Sequence, residues 1–229
     1  MAVIVVKDEQ EKALEPAKKE SNVVHLFFLL DETGSMGTVR EETITGFNEY
    51  VQTLKSKTPS IRMTLGKFNA CAGLQIVCSD TPIVDVPPLT KQTYVPDCST
   101  PLYDAIGQMI AHAEKRCGGS DGVLVIVQTD GYENSSKEFT QASIKALIQK
   151  KTDEDGWTVS FIGADIDAHA VGSSLGLADT HFVGYSGDAG NVGTTFSNLA
   201  DDTASYCTST ASLSAPERRR AKFFRAKYR

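Results

Sequence analysis

The sequence predicts an α/β protein with a doubly wound, mostly parallel central sheet and helices on both faces. Two near-continuous apolar runs, Val23–Leu30 and Val123–Val127, are typical of parallel strands that are covered on both faces. Between these runs, apolar residues recur at helical spacing, as at Ile44, Phe47 and Val51. Strands that alternate with helices along the chain favour this fold class.

Local spacing predicts the elements of the first half. Thr38 and Glu41 have the spacing of a capping box, which predicts the start of the first helix. Ile61–Phe68 and Leu74–Cys78 are predicted strands. The prolines that follow suit an edge strand or a loop: Pro82, Pro87 and Pro88.

The second half continues the alternation. Thr100-Pro101 predicts the start of a second helix, because proline suits the first helical position, and Ser135–Glu138 is predicted to cap a third. The remaining predicted elements are a strand at Trp157–Ile162, a helix near Ala168–Leu175, a short strand at His181–Gly184 and a last helix from about Thr194 to Cys207.

The length of 229 residues is typical of one α/β domain with additional termini. We divide the chain into an N-terminal stub and charged linker (1–21), a domain (22–209) and a basic C-terminal tail (210–229). The net charge of −6 is unevenly distributed, because 152–217 contains no Lys or Arg whereas the last twelve residues contain seven. The body should therefore repel nucleic acid and anionic membranes, so that only the tail could bind either.

The basic tail has three interpretations. It could bind nucleic acid, with Phe223, Phe224 and Tyr228 stacking on bases. It could equally dock on an acidic surface of another protein, including a second copy of this chain. The third interpretation is a solvated end without a partner.

The cysteines and the hydropathy pattern predict the compartment. The five cysteines include no Cys-x-x-Cys pair and no His at ligand spacing, so they are expected to be reduced thiols and not a zinc site: Cys71, Cys78, Cys98, Cys117 and Cys207. The first residues lack the pattern of a signal peptide, and no apolar run reaches the roughly 18 residues of a membrane span. We therefore expect a cytoplasmic location, or a virion location if the chain is phage-encoded, and no membrane partner.

Acidic and hydroxyl side chains are predicted to meet at one edge of the sheet. Asp31, Thr33 and Ser35 follow the first strand, Thr100 precedes the second helix, and Asp130 follows the central strand. Each residue alone would suit a turn or a helix cap. Together they lie where doubly wound sheets bind ligands, at the carboxyl ends of strands. A set of oxygen ligands with two carboxylates suits Mg²⁺ (or Mn²⁺). Such a site leaves coordination positions open for water or for a ligand from another molecule.

These residues resemble the metal-ion-dependent adhesion site of the von Willebrand factor type A (VWA) family. The family motif is Asp-x-Ser-x-Ser, then a distant Thr, then a distant Asp; Thr33 replaces the first Ser here. The resemblance covers roughly 22–209 and is strongest to stand-alone bacterial or phage-type VWA proteins. It implies a Rossmann-like fold in which the metal is bound by Asp31, Thr33, Ser35, Thr100 and Asp130.

Other polar residues are assigned weaker roles. Five acids are expected near the same edge, where they either tune the metal indirectly or are solvated and helix-start charges: Glu32, Asp97, Asp104, Glu133 and Asp165. The four histidines are expected to be packed or exposed and not catalytic: His25, His112, His169 and His181.

The resemblance implies a non-enzymatic module for protein–protein recognition, within a larger assembly. The bound Mg²⁺ would bridge the site to a Glu or Asp of a partner, and self-assembly through the termini is a further option. One alternative is a Mg²⁺-dependent phosphate-handling enzyme, although the spacing Gly-x-x-x-x-Gly-Lys-Ser/Thr is absent and no nucleophile stands out. The other is nucleic-acid association through the basic tail.

Overall fold

The computed structural model describes residues 23–58, 60–118, 121–186 and 189–224. These residues form a six-stranded sheet, in which the third strand is antiparallel to its neighbour and all other pairs are parallel. The strands are β1 (Val24–Asp31), β2 (Arg62–Asn69), β3 (Gly73–Pro82), β4 (Gly122–Thr129), β5 (Thr158–Ala164) and β6 (Phe182–Tyr185), in the spatial order β3-β2-β1-β4-β5-β6. The expected mostly parallel sheet is confirmed.

Helices cover both faces of this sheet. The long helices α1 (Arg40–Lys57) and α5 (Ala189–Thr210) pack on one face, and α2 (Leu102–Glu114), α3 (Gln141–Asp155) and α4 (Ala168–Ser174) pack on the other. Alternate side chains of β1 enter the two cores, Leu26 and Phe28 on one side and Phe27 and Leu29 on the other. All four are buried, so β1 is the shared element of both layers.

Aromatic packing fixes the layer formed by α1 and α5. The Phe28 ring of β1 contacts Phe47 edge-on with centroids 5.3 Å apart, and its centroid lies 5.4 Å from that of Tyr50. Tyr50 in turn contacts Phe196 of α5 at 6.5 Å. Such aromatic pairs add about 0.5–1.5 kcal/mol each beyond the burial of their area, so they hold both helices against the central strand.

The start of α1 differs from the expectation. No capping box forms at Thr38 and Glu41, because a 3₁₀ turn at Gly34–Val39 precedes the helix and Val39 is its N-cap. The Thr38 hydroxyl donates to the Ser35 carbonyl instead. The prediction was wrong because the chain must first turn sharply out of β1, and a 3₁₀ turn does this in fewer residues than an α-helical start.

The third helix also begins later than predicted. Ser135–Glu138 does not cap it; Thr140 does, in a reciprocal pair with Ser143. The backbone amides near residue 138 are already bonded, because the Asp104 carboxylate accepts the amides of 137, 138 and 139. A carboxylate from α2 therefore holds this segment as a loop.

The C-terminal segment packs on the domain as far as residue 224. A short helix, α6 (Ala215–Arg218), is followed by Phe223 and Phe224, which are 1% and 7% exposed and belong to the core beneath α5. The interpretation of this part of the tail as a solvated end is wrong, because two aromatic side chains gain more from burial than the chain loses by ordering. Residues 225–229, including the predicted stacking residue Tyr228, and residues 1–22 of the predicted stub and linker lie outside the described range.

Two of the cysteines form a disulfide bond. Cys71 follows β2 and Cys98 lies in the loop before α2, and their sulfur atoms are bonded across a separation of 27 residues. The expectation of five reduced thiols is therefore wrong for this pair, because the fold and not the spacing brings the two together. The other three cysteines are free.

None of the helices in the described part of the chain combines the length and the apolar character that crossing a bilayer requires.

Reduction of the Cys71–Cys98 bond should destabilise the domain. The bond closes a loop of 27 residues, for which the chain-entropy relation gives about 3–4 kcal/mol of unfolding free energy. Urea unfolding of the wild type and of the double variant Cys71→Ser/Cys98→Ser, each with and without reductant, measures this. The double variant should be insensitive to reductant. Five reactive thiols in the untreated protein would contradict the bond.

Candidate metal centre

The five predicted residues lie together at the carboxyl edge of the sheet. Asp31 ends β1, Thr33 and Ser35 lie in the turn that follows, Thr100 lies just before α2, and Asp130 follows β4 directly. Ser35 donates its hydroxyl to Asp130 at 2.6 Å. The Thr33 hydroxyl lies 3.3 Å from those of both Ser35 and Thr100. Three separate loops therefore contribute to one cluster of oxygen atoms.

Asp31 is the most buried and most constrained member of this cluster. It has no exposed surface, and its Oδ1 accepts the Thr33 amide at 2.7 Å. Its Oδ2 accepts the hydroxyl of Thr129, the last residue of β4. The Asp31 carbonyl accepts the phenol of buried Tyr94 at 2.6 Å. Both the side chain and the backbone of this residue are thus fixed by partners.

A pair of reciprocal bonds and a glycine position Thr100. The Thr100 amide donates to the side chain of Asn134 at 2.8 Å, and the Asn134 amide donates to the Thr100 carbonyl at 3.1 Å. A Cβ at Gly131 would lie 2.9 Å from the Thr100 hydroxyl oxygen. The close approach of these two loops therefore requires glycine at 131.

The disulfide lies directly beside this cluster. The Gly34 amide, within the Asp31–Ser35 turn, donates to the carbonyl of Cys98 at 2.9 Å. Cys98 adopts a left-handed backbone conformation (φ 65°), which is unfavourable for a residue with a side chain. The bond to Cys71 and the contact with Gly34 hold it there. The loop that carries Thr100 is thereby tied both to β2 and to the Asp31 turn.

The neighbouring acids have individual structural roles. Glu32 is buried in an ion pair with Lys67, at 2.7 Å and 2.9 Å from its two oxygens. Asp97 accepts the Cys98 amide, and Asp104 accepts the amides near residue 138. Glu133 accepts the amides of 135 and 136 and of Tyr103.

Asp165 is the acid whose charge acts on a site residue. Burial and, secondarily, the negative charge of Asp165 raise the pKa of Asp130 above its ordinary value. The first four acids of the predicted set therefore hold loops in place, whereas Asp165 adds negative potential to the site.

Burial disfavours the ionised form of both carboxylates of the site, Asp31 and Asp130. Burial raises the pKa of Asp31 from its ordinary value of 3.8 to about 6, although the bonds from Thr129 and Thr33 oppose this, and the charge of Asp130 adds to it. No Lys or Arg within the described ranges forms an ion pair with Asp31 or Asp130. The nearest buried cation, Lys67, is paired with Glu32. Among the described residues, therefore, no basic side chain neutralises the negative charge of the cluster.

The donor set fits a small divalent cation. It consists of two carboxylates and three hydroxyls from different loops, and it contains neither sulfur nor nitrogen. Mg²⁺ and Mn²⁺ prefer such oxygen ligands. A bound cation would also stabilise the ionised form of Asp31, which burial disfavours.

Sequence reasoning missed the residues that orient the site. Thr129, Tyr94 and Asn134 each bond to a candidate ligand or to its backbone. Thr129 had a usable signal, because it is adjacent to Asp130 and its hydroxyl follows a buried strand. Tyr94 and Asn134 lie in loops whose course no local pattern predicts.

Comparisons with solved structures identify the architecture. No protein-family model and no curated protein matches the chain. The vWF domain of the pili tip protein Mfa5 from Porphyromonas gingivalis matches with a TM-score of 0.55 and 12% identity, over 79% of this chain and 94% of that one. Manganese-loaded TRAP from Plasmodium vivax matches with a TM-score of 0.51 and 18% identity, over 72% of this chain and 69% of that one. The pilus adhesin SpaC from Lactobacillus rhamnosus GG matches with a TM-score of 0.60 and 14% identity, over 79% of this chain and 30% of that one.

Several of the matched proteins are much longer than this chain, which spans between 30% and 63% of four of them. The shared part is the sheet with its surrounding helices, and the low identities limit the likeness to the fold. A von Willebrand factor type A protein from Catenulispora acidiphila also matches, with a TM-score of 0.55 and 14% identity, over 79% of this chain and 42% of that one. The sheet order and the antiparallel strand β3 of the described residues agree with the matches to this protein and to the vWF domain of Mfa5. The chain has the fold of a von Willebrand factor type A domain.

Proposed function

We propose that this protein is a metal-dependent module for protein–protein interaction. The observation that carries the proposal is the convergence of two buried or half-buried carboxylates and three hydroxyls at one edge, where no Lys or Arg of the described chain forms an ion pair with either carboxylate. Asp31, Thr33, Ser35, Thr100 and Asp130 would hold Mg²⁺, or Mn²⁺ in its place. The cation would supply a Lewis-acidic position to which an acidic side chain of a partner binds.

The surface around the site supports a protein partner. Ser35 is exposed, so the cluster opens to solvent. Two large apolar side chains are exposed in the loops beside it, Val95 at 53% and Tyr132 at 54%. The Val95 amide bonds to the Glu32 carboxylate at 2.6 Å, which keeps this loop next to the Asp31 turn. A polar centre with exposed apolar neighbours is typical of a surface that binds another protein.

The relatives point in the same direction. SpaC is a pilus adhesin and Mfa5 is a pili tip protein, whereas TRAP was solved with manganese. These descriptions belong to those proteins, and they support interaction or assembly as the role of this chain without identifying its partner.

The two alternative functions have less support. In a phosphate-handling enzyme, a basic side chain that faces the substrate would stabilise the negative charge of the transition state. Lys67 does not offer this, because it is paired with Glu32. Nucleic-acid binding through the tail would use Phe223 and Phe224 for stacking, but both are buried. We therefore propose a binding role and not a catalytic one.

The location is still a prediction. We expected a cytoplasmic chain, or a virion protein of phage. The Cys71–Cys98 bond counts against a reducing cytosol, because disulfides persist mainly in oxidising compartments.

Metal binding should depend on Asp130. Calorimetric titration of Mg²⁺ and Mn²⁺ into EDTA-treated wild type should show one saturable site. Asp130→Ala should lose more affinity than the roughly 10–100-fold expected for loss of an outer partner of a ligand. The matched control is Asp153→Ala, which removes an exposed acid on α3 and should bind as the wild type does. Equal binding by both variants would place the metal elsewhere.

Partner binding should require both the metal and an acid. A random peptide library is selected on immobilised protein in Mg²⁺, and each selected peptide is retested in EDTA and on Asp130→Ala. We expect the peptides to contain an Asp or Glu whose change to Asn or Gln removes binding, because the cation attracts a carboxylate. Peptides that lack acids and bind equally well in EDTA would refute the proposed mode of recognition.

Metal-induced stabilisation should increase with pH. Because the folded-state pKa of Asp31 is raised to about 6, its protonated form stabilises the metal-free fold at low pH, and this contribution of roughly 3 kcal/mol is lost as the pH rises through about 6. The cation binds the ionised form and competes with the proton. Thermal melts with and without Mg²⁺ should therefore differ more at about pH 7.5 than at about pH 5.

The control for this pH dependence is Asp31→Asn, which keeps the shape of the side chain without its charge. Its metal-free melting temperature should fall less across the same pH range than that of the wild type. A metal effect of constant size in the wild type would show that Asp31 does not control binding.

A further inference from the structure

Three potential metal ligands meet at the opposite edge of the sheet from the Asp31 site. They are His25, Cys117 and Asp121, and one ligand atom from each lies within 4.8 Å of the other two. All three side chains are partly buried. His25 is the second residue of β1, so it lies about 20 Å along the strand from Asp31.

The fold explains why these residues meet. His25 of β1 pairs with Val123 of β4, so Asp121, two residues before Val123, lies near the start of β1 and diagonally from His25. Helix α2 runs back along the sheet and ends at Glu114, and the Cys117 amide then donates to the Ala113 carbonyl at 2.9 Å. Cys117 and Asp121 are four residues apart, whereas His25 precedes Cys117 by 92 residues, so no local spacing marks the three together.

His25 makes a carboxylate contact of the kind that metal-binding histidines make. Its Nδ1 lies 3.1 Å from the Asp80 carboxylate, which also accepts Arg62 Nε at 2.8 Å. Metal-ligating histidines almost always bond through their other nitrogen to a carboxylate or a carbonyl in this way. This contact leaves Nε2 as the nitrogen that can bind a metal.

The other two ligands are also available. Cys117 is a free cysteine, so its sulfur is not committed to a disulfide. The Gly118 amide donates to Oδ2 of Asp121 at 2.8 Å, which fixes that carboxylate and leaves Oδ1 for a ligand.

We propose that His25, Cys117 and Asp121 form a second metal site, which binds a zinc-class divalent cation. Nitrogen, sulfur and oxygen ligands together suit Zn²⁺ or Co²⁺, whereas Mg²⁺ requires oxygen alone. Three protein ligands leave the fourth tetrahedral position for water or for a group from outside the chain. The two ends of β1 would then select different ions.

Cobalt is the probe that reports the thiolate. Co²⁺ is titrated into metal-free protein in the absence of thiol reductants, so that the Cys71–Cys98 bond stays closed. A cysteine ligand produces a sulfur-to-cobalt charge-transfer absorption in the near ultraviolet. The wild type and Asp130→Ala should both show this band at one equivalent, and excess Zn²⁺ should remove it.

The variants assign the ligands. Cys117→Ser should lose the band, and His25→Gln should weaken Co²⁺ binding by more than about 10-fold. Cys78→Ser is the matched control, because it removes another partly buried free thiol outside the cluster. Circular dichroism and a thermal melt verify that each variant is folded.

Asp80→Asn tests the partner of His25. It should keep the charge-transfer band while the Zn²⁺ affinity falls roughly 10–100-fold, since this carboxylate orients the ring without touching the metal. The absence of a charge-transfer band in the folded wild type, or an undiminished band in folded Cys117→Ser, would overturn the proposal.

Discussion

Strand β1 is hydrogen-bonded to parallel strands along both edges and is covered by helices on both faces, so its end cannot shift without disturbing both cores. Asp31 is the last residue of this strand, and Thr129 ends the neighbouring β4. The parallel direction of these strands brings their following loops to one edge. The positions of the candidate ligands thus follow from the packing of apolar residues that take no part in binding.

This packing holds negative charge where it is unfavourable. The buried carboxylate of Asp31 accepts hydrogen bonds from neutral donors, an amide and a hydroxyl, and from no basic side chain within the described ranges. Lys67 lies nearby but neutralises Glu32, which supports the Val95 loop. The Lys67–Glu32 ion pair therefore fixes the loops around the site without neutralising the charge of Asp31. Local rules of stability are commonly violated in this way at functional sites.

Sequence reasoning was most reliable where one local pattern decides the structure. Apolar runs and helical stripes predicted β1, β4 and α2, and the strand ends then predicted which five residues meet. Sequence reasoning failed where a contact with a residue distant in sequence determines the local structure. Asp104 on α2 delays the start of α3, and the Cys71–Cys98 bond depends on two loops approaching each other. The burial of Phe223 likewise depends on a surface that only the assembled sheet and α5 provide.

The close approach of Gly131 to Thr100 has a consequence for the history of the sequence. Any side chain at 131 would meet the Thr100 hydroxyl at about the length of a hydrogen bond, far inside van der Waals contact for carbon. The two positions therefore constrain each other during evolution. A residue with a side chain at 131 requires the Thr100 side chain to move or to be replaced, so we expect changes at 131 to be accompanied by changes at 100.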